Sequence, residues 1–531
     1  MEKINARGVS DGIAIGKIHV INRKQNIDSN KTDDTDVEHK RFDAGLKKAG
    51  EALEQIKENI GGDEKEIFTA HQLMLEDPEL IGTINSYIDQ GFKAEYSVFQ
   101  AKEDLKEIFY AMDDEYFRMR ANDIEDVMTR LIKALQGKEA KTLDDDYILL
   151  ADDLYPSETM EMDFKKIKGL ATINGSVTSH TTILANNLKI PAVISLAIDD
   201  FVVCDNKLAI IDGSEGIFIL DPSDEVLEEY KEKINKNEIR NKDLSKYRDM
   251  EAKTHTGQRI SVYANIGSDE EAKDAYENGA EGIGLFRSEF LFLGKDNAPD
   301  EETQFVAYKN ALEYMKGRPV TIRTLDIGAD KQVDYLGLEK EDNPQMGLRA
   351  IRISLSQTDL FKTQLRALLR ASVYGKLKIL LPMIICADEI IQTKNLIEEC
   401  KSELDKESKA YGDIELGIMI ETPAACIIAD ELAKECDFFS IGTNDLTSYT
   451  LAVDRTNARL SAYLDSHHQA ILRLIKMAAL AAHENKIEVG ICGAAGADLS
   501  LLDYFIEIGI DELSVPVGRV LDLKKEIINR Q

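Results

Sequence analysis

Asp437-Phe438-Phe439-Ser440-Ile441-Gly442 is a short apolar run, and Thr443-Asn444-Asp445-Leu446-Thr447-Ser448-Tyr449-Thr450 follows it with polar side chains at its end. A run of this length closed by glycine reads as a β-strand buried on both faces. The same pattern recurs on either side of it, in SVYANI (261–266), EGIGLF (281–286), PVTIRTLDI (319–327), LKILLPMI (377–384), LGIMI (416–420), IEVGIC (487–492) and ELSV (512–515). Each segment except the last is followed by a helix-like run, and the last by a short helix over roughly residues 516–531. Apolar strands alternating with helices imply a parallel sheet, and eight such units over residues 260–531 predict a closed (β/α)8 TIM barrel.

Functional groups of such a barrel stand at the C-terminal ends of its strands. Those positions hold Arg287 and Glu289, then Arg323, Asp326 and Lys331, with Arg349 in the connection that follows. Further along come Glu421, then Asn444 and Asp445 with Arg455 ten residues on, and finally Cys492. A single arginine at a strand end is ordinarily an ion-pair residue. Four arginines and a lysine converging on one face are better suited to a polyanion, because guanidinium forks match phosphate and carboxylate oxygens. Glu421 and Asp445 among them suit a divalent cation such as Mg²⁺, which takes one or two carboxylates plus substrate oxygens. A thiol at Cys492 can serve that site as an acid.

The N-terminal half has a different texture. Residues 8–21 (GVSDGIAIGKIHVI) read as a short β unit, and strands return at 147–154 (YILLADDL), 168–175 (KGLATING), 191–195 (PAVIS) and 207–220 (KLAIIDGSEGIFIL). Between them, residues 34–140 are rich in Glu, Lys, Asp, Leu and Ala with apolar residues at helical spacing, as at Phe68, His71 and Leu75 and at Ile108, Met112 and Tyr116. About four helices are expected there, one of them opened by Pro78. The charged stretch 223–253, free of Gly and Pro, reads as a connecting helix. His180 lies between a run of small residues (173–177) and a helix-like segment. Free N–H groups at a helix start suit an anion, so its imidazole is a candidate to meet a phosphate.

The chain has 531 residues, which points to about three domains. Its net charge of −32 argues against nucleic acid as a partner. No apolar stretch is long enough for a membrane span, and the start lacks the apolar core of a signal peptide. The six cysteines are far apart with no C-x-x-C pair, which fits a reducing cytoplasm and argues against a zinc site or a disulfide framework.

Taken together, these motifs resemble the Enzyme I family of the bacterial phosphoenolpyruvate:sugar phosphotransferase system. The likeness is carried by GIAIGK (12–17), HQLMLEDPEL (71–80), AMDDEYFRMRANDIEDV (111–127), TSHTTILA (178–185), GAEGIGLFRSEFLF (279–292), IRTLDIGADK (322–331), ETPAA (421–425) and FFSIGTNDLTSYTLAVDR (438–455). Related dikinases and phosphoenolpyruvate synthases share the histidine domain and the barrel but add a nucleotide-binding domain, for which this chain has neither room nor a P-loop-like sequence. The resemblance implies a multidomain α/β protein. A swivelling phosphohistidine domain would comprise residues 1–21 and 147–222, with a helical insert over 22–146 that docks the carrier protein HPr. A linker helix would span 223–259, and a barrel that binds phosphoenolpyruvate would span 260–531. It implies that Glu421 and Asp445 ligate Mg²⁺, and that Arg287, Arg323, Lys331 and Arg455 hold the phosphate. Arg349 and Asn444 would help position phosphate or carboxylate. His180 would attack phosphorus, Cys492 would protonate the enolpyruvate methylene, and HPr would accept the phosphoryl group from His180. Family members act as cytoplasmic homodimers joined through the barrel.

The chain also departs from the family pattern. Gly175-Ser176-Val177-Thr178-Ser179-His180 replaces the usual Gly-Gly-Arg-Thr-Ser-His, Asn186 stands where an arginine is usual, and Ala494 stands where a carboxylate is usual. The C-terminus comes earlier than the pattern, so part of the last helical region of the barrel is expected to be absent. These changes leave open a second reading, a degenerate regulatory paralogue that binds HPr or phosphoenolpyruvate with little turnover.

Overall fold

In the computed structural model the chain divides into two units, Met1–Asn237 and Glu238–Gln531. The structure describes residues 1–531 apart from 22–26, 60–62, 111–114, 138–145, 155–157, 160–161, 175–179, 199–200, 294, 296, 329–332, 456 and 531.

The first unit contains an eight-stranded mixed sheet built from β1 (Glu2–Asn5), β2 (Arg7–Ser10), β3 (Ile13–Val20), β4 (Tyr147–Ala151), β5 (Ile167–Thr172), β6 (Ala192–Ile194), β7 (Leu208–Asp212) and β8 (Ile217–Leu220), in the order β1-β8-β7-β3-β4-β5-β6-β2. β3, β4, β5 and β6 run parallel to one another, whereas β7 and β8 form an antiparallel hairpin closed by Gly216. Ile148, Leu150, Val193, Ile211 and Phe218 pack one face of the sheet. The sequence reading missed β1, an edge strand of which only Ile4 is buried; so little apolar signal marks it.

Between β3 and β4 come α1 (Thr35–Asn59), α2 (Asp63–Leu75), α3 (Pro78–Asp89), α4 (Ala94–Tyr110) and α5 (Glu115–Gln136). Among the described residues that is one helix more than expected, because the segment before Pro78 forms two helices. α3 starts where predicted. The Asp77 carboxylate accepts from the backbone N–H groups of Glu79 (2.7 Å) and Leu80 (3.3 Å), and Pro78 occupies the first helical position, where no N–H is needed. Phe42, Leu53, Phe68, Leu75, Ile88, Val98 and Leu131 form the core of this bundle. α6 (His180–Asn187) lies between β5 and β6, and α7 (Asp224–Ser245) follows β8. α7 is polar on most sides, buries Tyr230, and is laced by exposed pairs such as Lys233–Glu229 (3.4 Å) and Lys236–Glu232 (3.2 Å). Each such pair contributes about 0.3–0.5 kcal/mol.

The second unit is a closed barrel of eight parallel strands in chain order, as the sequence predicts: β9 (Ser261–Ile266), β10 (Ile283–Arg287), β11 (Val320–Arg323), β12 (Leu377–Leu381), β13 (Ile414–Ile420), β14 (Phe438–Gly442), β15 (Glu488–Cys492) and β16 (Glu512–Pro516). The first and last strands pair from Glu512↔Ser261 to Pro516↔Asn265, which closes the ring. Side chains alternate with the pleat. Val262, Ile322, Ile379, Ile418, Ile420, Phe439, Ile441, Val489 and Ile491 belong to the large core shared with the helices. Leu285, Leu380, Met419, Phe438 and Cys492 form a separate small cluster. A helix over Val520–Asn529 is present after β16, and its buried Lys524 donates to the carbonyls of Arg248 (2.9 Å) and Gly279 (3.0 Å). Among the described residues, no helix is long and apolar enough to cross a membrane.

Candidate active site

The pleat decides which side chains reach the barrel mouth. On β13 the residues on the Met419 face continue to Glu421, just past the last strand residue; on β14 they run from Phe438 through Ser440 to Gly442; on β15 they end at Cys492. Gly442 matters here because a Cβ on it would lie 2.9 Å from Oε2 of Glu421, so its bare backbone gives that carboxylate room. Asn444 and Asp445 open the helix Thr443–Leu451 directly after β14.

These strand ends enclose a cleft of about 390 Å³ lined by Arg287, Arg323, Arg349, Arg455, Glu289, Asp326, Glu421, Asn444, Asp445 and Cys492. The four predicted arginines, the two predicted carboxylates, Asn444 and the predicted thiol therefore share one site. Lys331 lies outside the described residues.

Two of the arginines are held in place by acids. Arg323, 8% exposed, donates through Nη2 to Glu289 Oε1 (2.6 Å), and its Nη1 lies 2.8 Å from Asp326 Oδ2. Arg349, 7% exposed, donates to Asp326 Oδ1 through Nη2 (2.8 Å) and Nε (3.3 Å) and to the Tyr449 hydroxyl through Nη1 (3.0 Å). Tyr449 in turn donates to the Gln345 carbonyl. Asp326 is thus a bridge, and its two cations hold its carboxyl below the usual range although its side chain is only 5% exposed. Arg287 makes no ion pair among the described residues, and Arg455 is exposed with Nη1 3.3 Å from Asp445 Oδ1.

Glu421 and Asp445 are 1% and 5% exposed. Glu421 Oε1 accepts from the Met383 backbone N–H (2.7 Å). Asp445 Oδ1 is buried without a hydrogen bond in spite of its nearness to Arg455. Burial first, then the charges of Asp445 and Asp326, push the Glu421 carboxyl up to about 8. Two buried carboxylates that repel each other, one with an orphaned oxygen, fit a hard divalent cation. The Nε of Arg323 is also buried without a partner, so the cleft carries an unused donor as well as this unused acceptor. Asn444 Oδ1 accepts from the Ala494 backbone N–H (3.1 Å), which leaves its Nδ2 as the donor for a ligand. Cys492 is 2% exposed; burial pushes its thiol up to about 11, so it is protonated near neutral pH.

In the first unit His180 is the first residue of α6, where a helix start was expected. Thr181, next to it, is fully buried and donates from Oγ1 to Asp153 Oδ1 (3.1 Å), and Ser10 Oγ donates to the Ala185 carbonyl (3.3 Å), so α6 is anchored to its surroundings. Asn186, at the position where the family has arginine, donates to the Thr182 carbonyl of its own helix (3.0 Å). Gly175, Ser176, Val177, Thr178 and Ser179 lie outside the described residues.

Gln345, which lines the cleft, and Tyr449 and Ser440, which bond to cleft residues, were missed from sequence. Tyr449 follows Asp445 by one helical turn in the same motif, a spacing that would have revealed it. Gln345 sits in a single 3-10 turn, Pro344–Met346, too short to show a period. Ser440 was hidden inside an apolar strand, and its proximity to Cys492 comes from the β14–β15 pairing.

Three family models match the chain. One described as "PEP-utilising enzyme, PEP-binding domain" matches residues 241–531, one described as "PEP-utilising enzyme, mobile domain" matches 143–216, and one described as "PEP-utilising enzyme, N-terminal" matches 5–120. The phosphoenolpyruvate-protein phosphotransferase of Bacillus sp. (strain S) is 42% identical over 534 residues, covering 99% of this chain and 92% of its own. That of Geobacillus stearothermophilus is also 42% identical with the same coverage, and that of Bacillus subtilis (strain 168) is 40% identical over 537 residues, covering 99% and 94%.

Proposed function

Because the chain belongs to the PEP-utilising enzyme family, among its phosphoenolpyruvate-protein phosphotransferases, we propose that His180 receives the phosphoryl group of phosphoenolpyruvate bound in the barrel cleft and passes it to the histidine of HPr. The activity is phosphoenolpyruvate-dependent phosphotransfer, the entry step of the phosphotransferase system. The observation that carries the residue assignments is the convergence of Arg287, Arg323, Arg349 and Arg455 with Glu421, Asp445 and Cys492 in one cleft.

Glu421 and Asp445 would hold Mg²⁺, which when bound neutralises charge on the phosphoryl oxygens. Arg287, Arg323, Lys331 and Arg455 grip the phosphate, and Arg349 and Asn444 set its orientation and that of the carboxylate. Phosphoryl transfer needs mainly positioning and charge neutralisation, and arginines already fixed by Asp326 and Glu289 supply both without reorganising. Neutral imidazole is the nucleophile, since an imidazole ordinarily titrates close to neutral pH. After the P–O bond has broken, the enolate takes a proton at its methylene carbon from Cys492 and leaves as pyruvate.

Donor and acceptor chemistry lie on different units, so the phosphohistidine domain (1–21 and 147–222) is assigned as the mobile carrier, with the 223–259 segment as its linker. The bundle over 22–146 is assigned as the HPr-docking insert. Family membership also supports a cytoplasmic homodimer joined through the barrel. Exposed Ile427, Met477 and Leu480, on neighbouring barrel helices, offer an apolar surface for it. The degenerate paralogue is not favoured, because the described part of the cleft keeps its cations, carboxylates and thiol.

The test is incubation with labelled phosphoenolpyruvate and Mg²⁺. An acid-labile, base-stable phosphoryl group is expected on the wild type and none on His180→Ala. Equal labelling of the two would refute the assignment.

A further inference from the structure

Ser440 stands on β14 among apolar neighbours and is 4% exposed. Its hydroxyl donates to Sγ of Cys492 at 3.2 Å, the one hydrogen bond the hydroxyl makes among the described residues. Cys492 Sγ donates in turn to the Ile441 carbonyl at 3.6 Å. Around them lie Leu285, Leu380, Met419 and Phe438. A buried hydroxyl without a good partner is costly, and a neutral thiol is a weak acceptor. An apolar residue would pack this position at lower cost. The arrangement becomes favourable when sulfur carries a negative charge, because a hydrogen bond to an anion is about twice as strong as a neutral one.

We propose that Ser440 is a positioning residue for proton delivery: it fixes the Cys492 thiol at the cleft wall and stabilises the thiolate left behind when the enolate is protonated. The inference rests on the assignment of Cys492 as the acid. In the step, the S–H bond of Cys492 breaks and a C–H bond forms at the enolate methylene. The S–H electron pair stays on sulfur, and the enolate oxygen becomes the ketone of pyruvate. The Ser440 O–H then faces a thiolate, so its bond strengthens as charge develops and lowers the barrier rather than the ground state. Water returns the proton to Cys492 after pyruvate leaves. Gly490, paired with Ser440, and Gly442, paired with Cys492, put no side chain between the two residues.

Phosphoryl transfer to His180 does not need this proton, so the two half-reactions can be separated. The full-length chain with Mg²⁺ is mixed with labelled phosphoenolpyruvate in a single turnover; label on His180 and keto-pyruvate, read with lactate dehydrogenase, are followed together. Ser440→Ala is expected to label at the wild-type rate but to form pyruvate about ten- to a hundredfold more slowly. Ser440→Thr, which keeps the hydroxyl, is expected to recover most of the rate. Pyruvate formation at the wild-type rate by Ser440→Ala overturns the proposal, and so does a Ser440→Thr variant as slow as the alanine, since packing rather than the hydroxyl would then be at work. Cys492→Ala forming pyruvate at the wild-type rate would instead remove the premise, showing that another group is the acid.

Discussion

Asp326 illustrates how one residue sets the direction of two others. It binds Arg323 through one oxygen and Arg349 through the other, so the cleft arginines are oriented before a ligand arrives. Glu421 lies at the opposite extreme, a carboxylate whose environment disfavours its charge. With its pKa raised to about 8, Glu421 keeps a proton at neutral pH when no metal is bound. A metal ligand must be deprotonated, so Mg²⁺ binding displaces this proton, and affinity is expected to rise with pH until about 8 and then level. The stability sign follows from the raised value: the contribution of the group is fully present below the unfolded pKa of about 4.3 and is lost as pH rises through the folded one. Mg²⁺ should therefore raise the melting temperature more at about pH 8 than at about pH 6, and Glu421→Gln should flatten that difference. Circular dichroism is the suitable readout, since the chain has no tryptophan. Both carboxylates were legible in the sequence as polar residues at strand ends. The bridging role of Asp326 was not, because Arg349 is brought to it by an irregular connection.

At the scale of elements, the seam of the barrel depends on a close backbone contact. Gly279, at φ +76°, ends the turn after the helix Asp269–Glu277, and a Cβ there would lie 2.4 Å from the Arg248 carbonyl. Lys524, on the last helix, donates to the carbonyls of both Arg248 and Gly279, so three distant segments meet at one point. Gly279→Ala combines left-handed strain with a backbone clash and is expected to cost more than about 2 kcal/mol. Gly257→Ala, also at positive φ (+87°) but with open space around it, should cost only about 1–2 kcal/mol. Thermal unfolding of the two variants checks the difference; equal shifts would show that the contact at Gly279 is not limiting. Strand positions were readable because each apolar run is short and closed by polar or glycine residues. The count of helices in the insert was not, since α1 and α2 share one charged, periodic texture and are divided only at a short break.

For the whole molecule, the division of labour predicts separable losses. Deleting residues 34–140 removes the bundle and is expected to leave labelling of His180 by phosphoenolpyruvate intact while abolishing transfer to HPr; continued transfer would place the docking surface elsewhere. The sequence by itself determined the closed eight-stranded barrel, the helical insert between β-rich segments and the identity of most cleft residues. Periodicity and strand-end chemistry are local properties, written at spacings of two to four residues. Tertiary structure alone decided which acid holds which arginine, what raises the pKa of Glu421, and that Ser440 touches Cys492. Apart from Arg323 and Asp326, which are neighbours at i and i+3, those relations join residues 23 to 100 positions apart. They depend on register and burial, which set distance and dielectric and have no counterpart in local spacing.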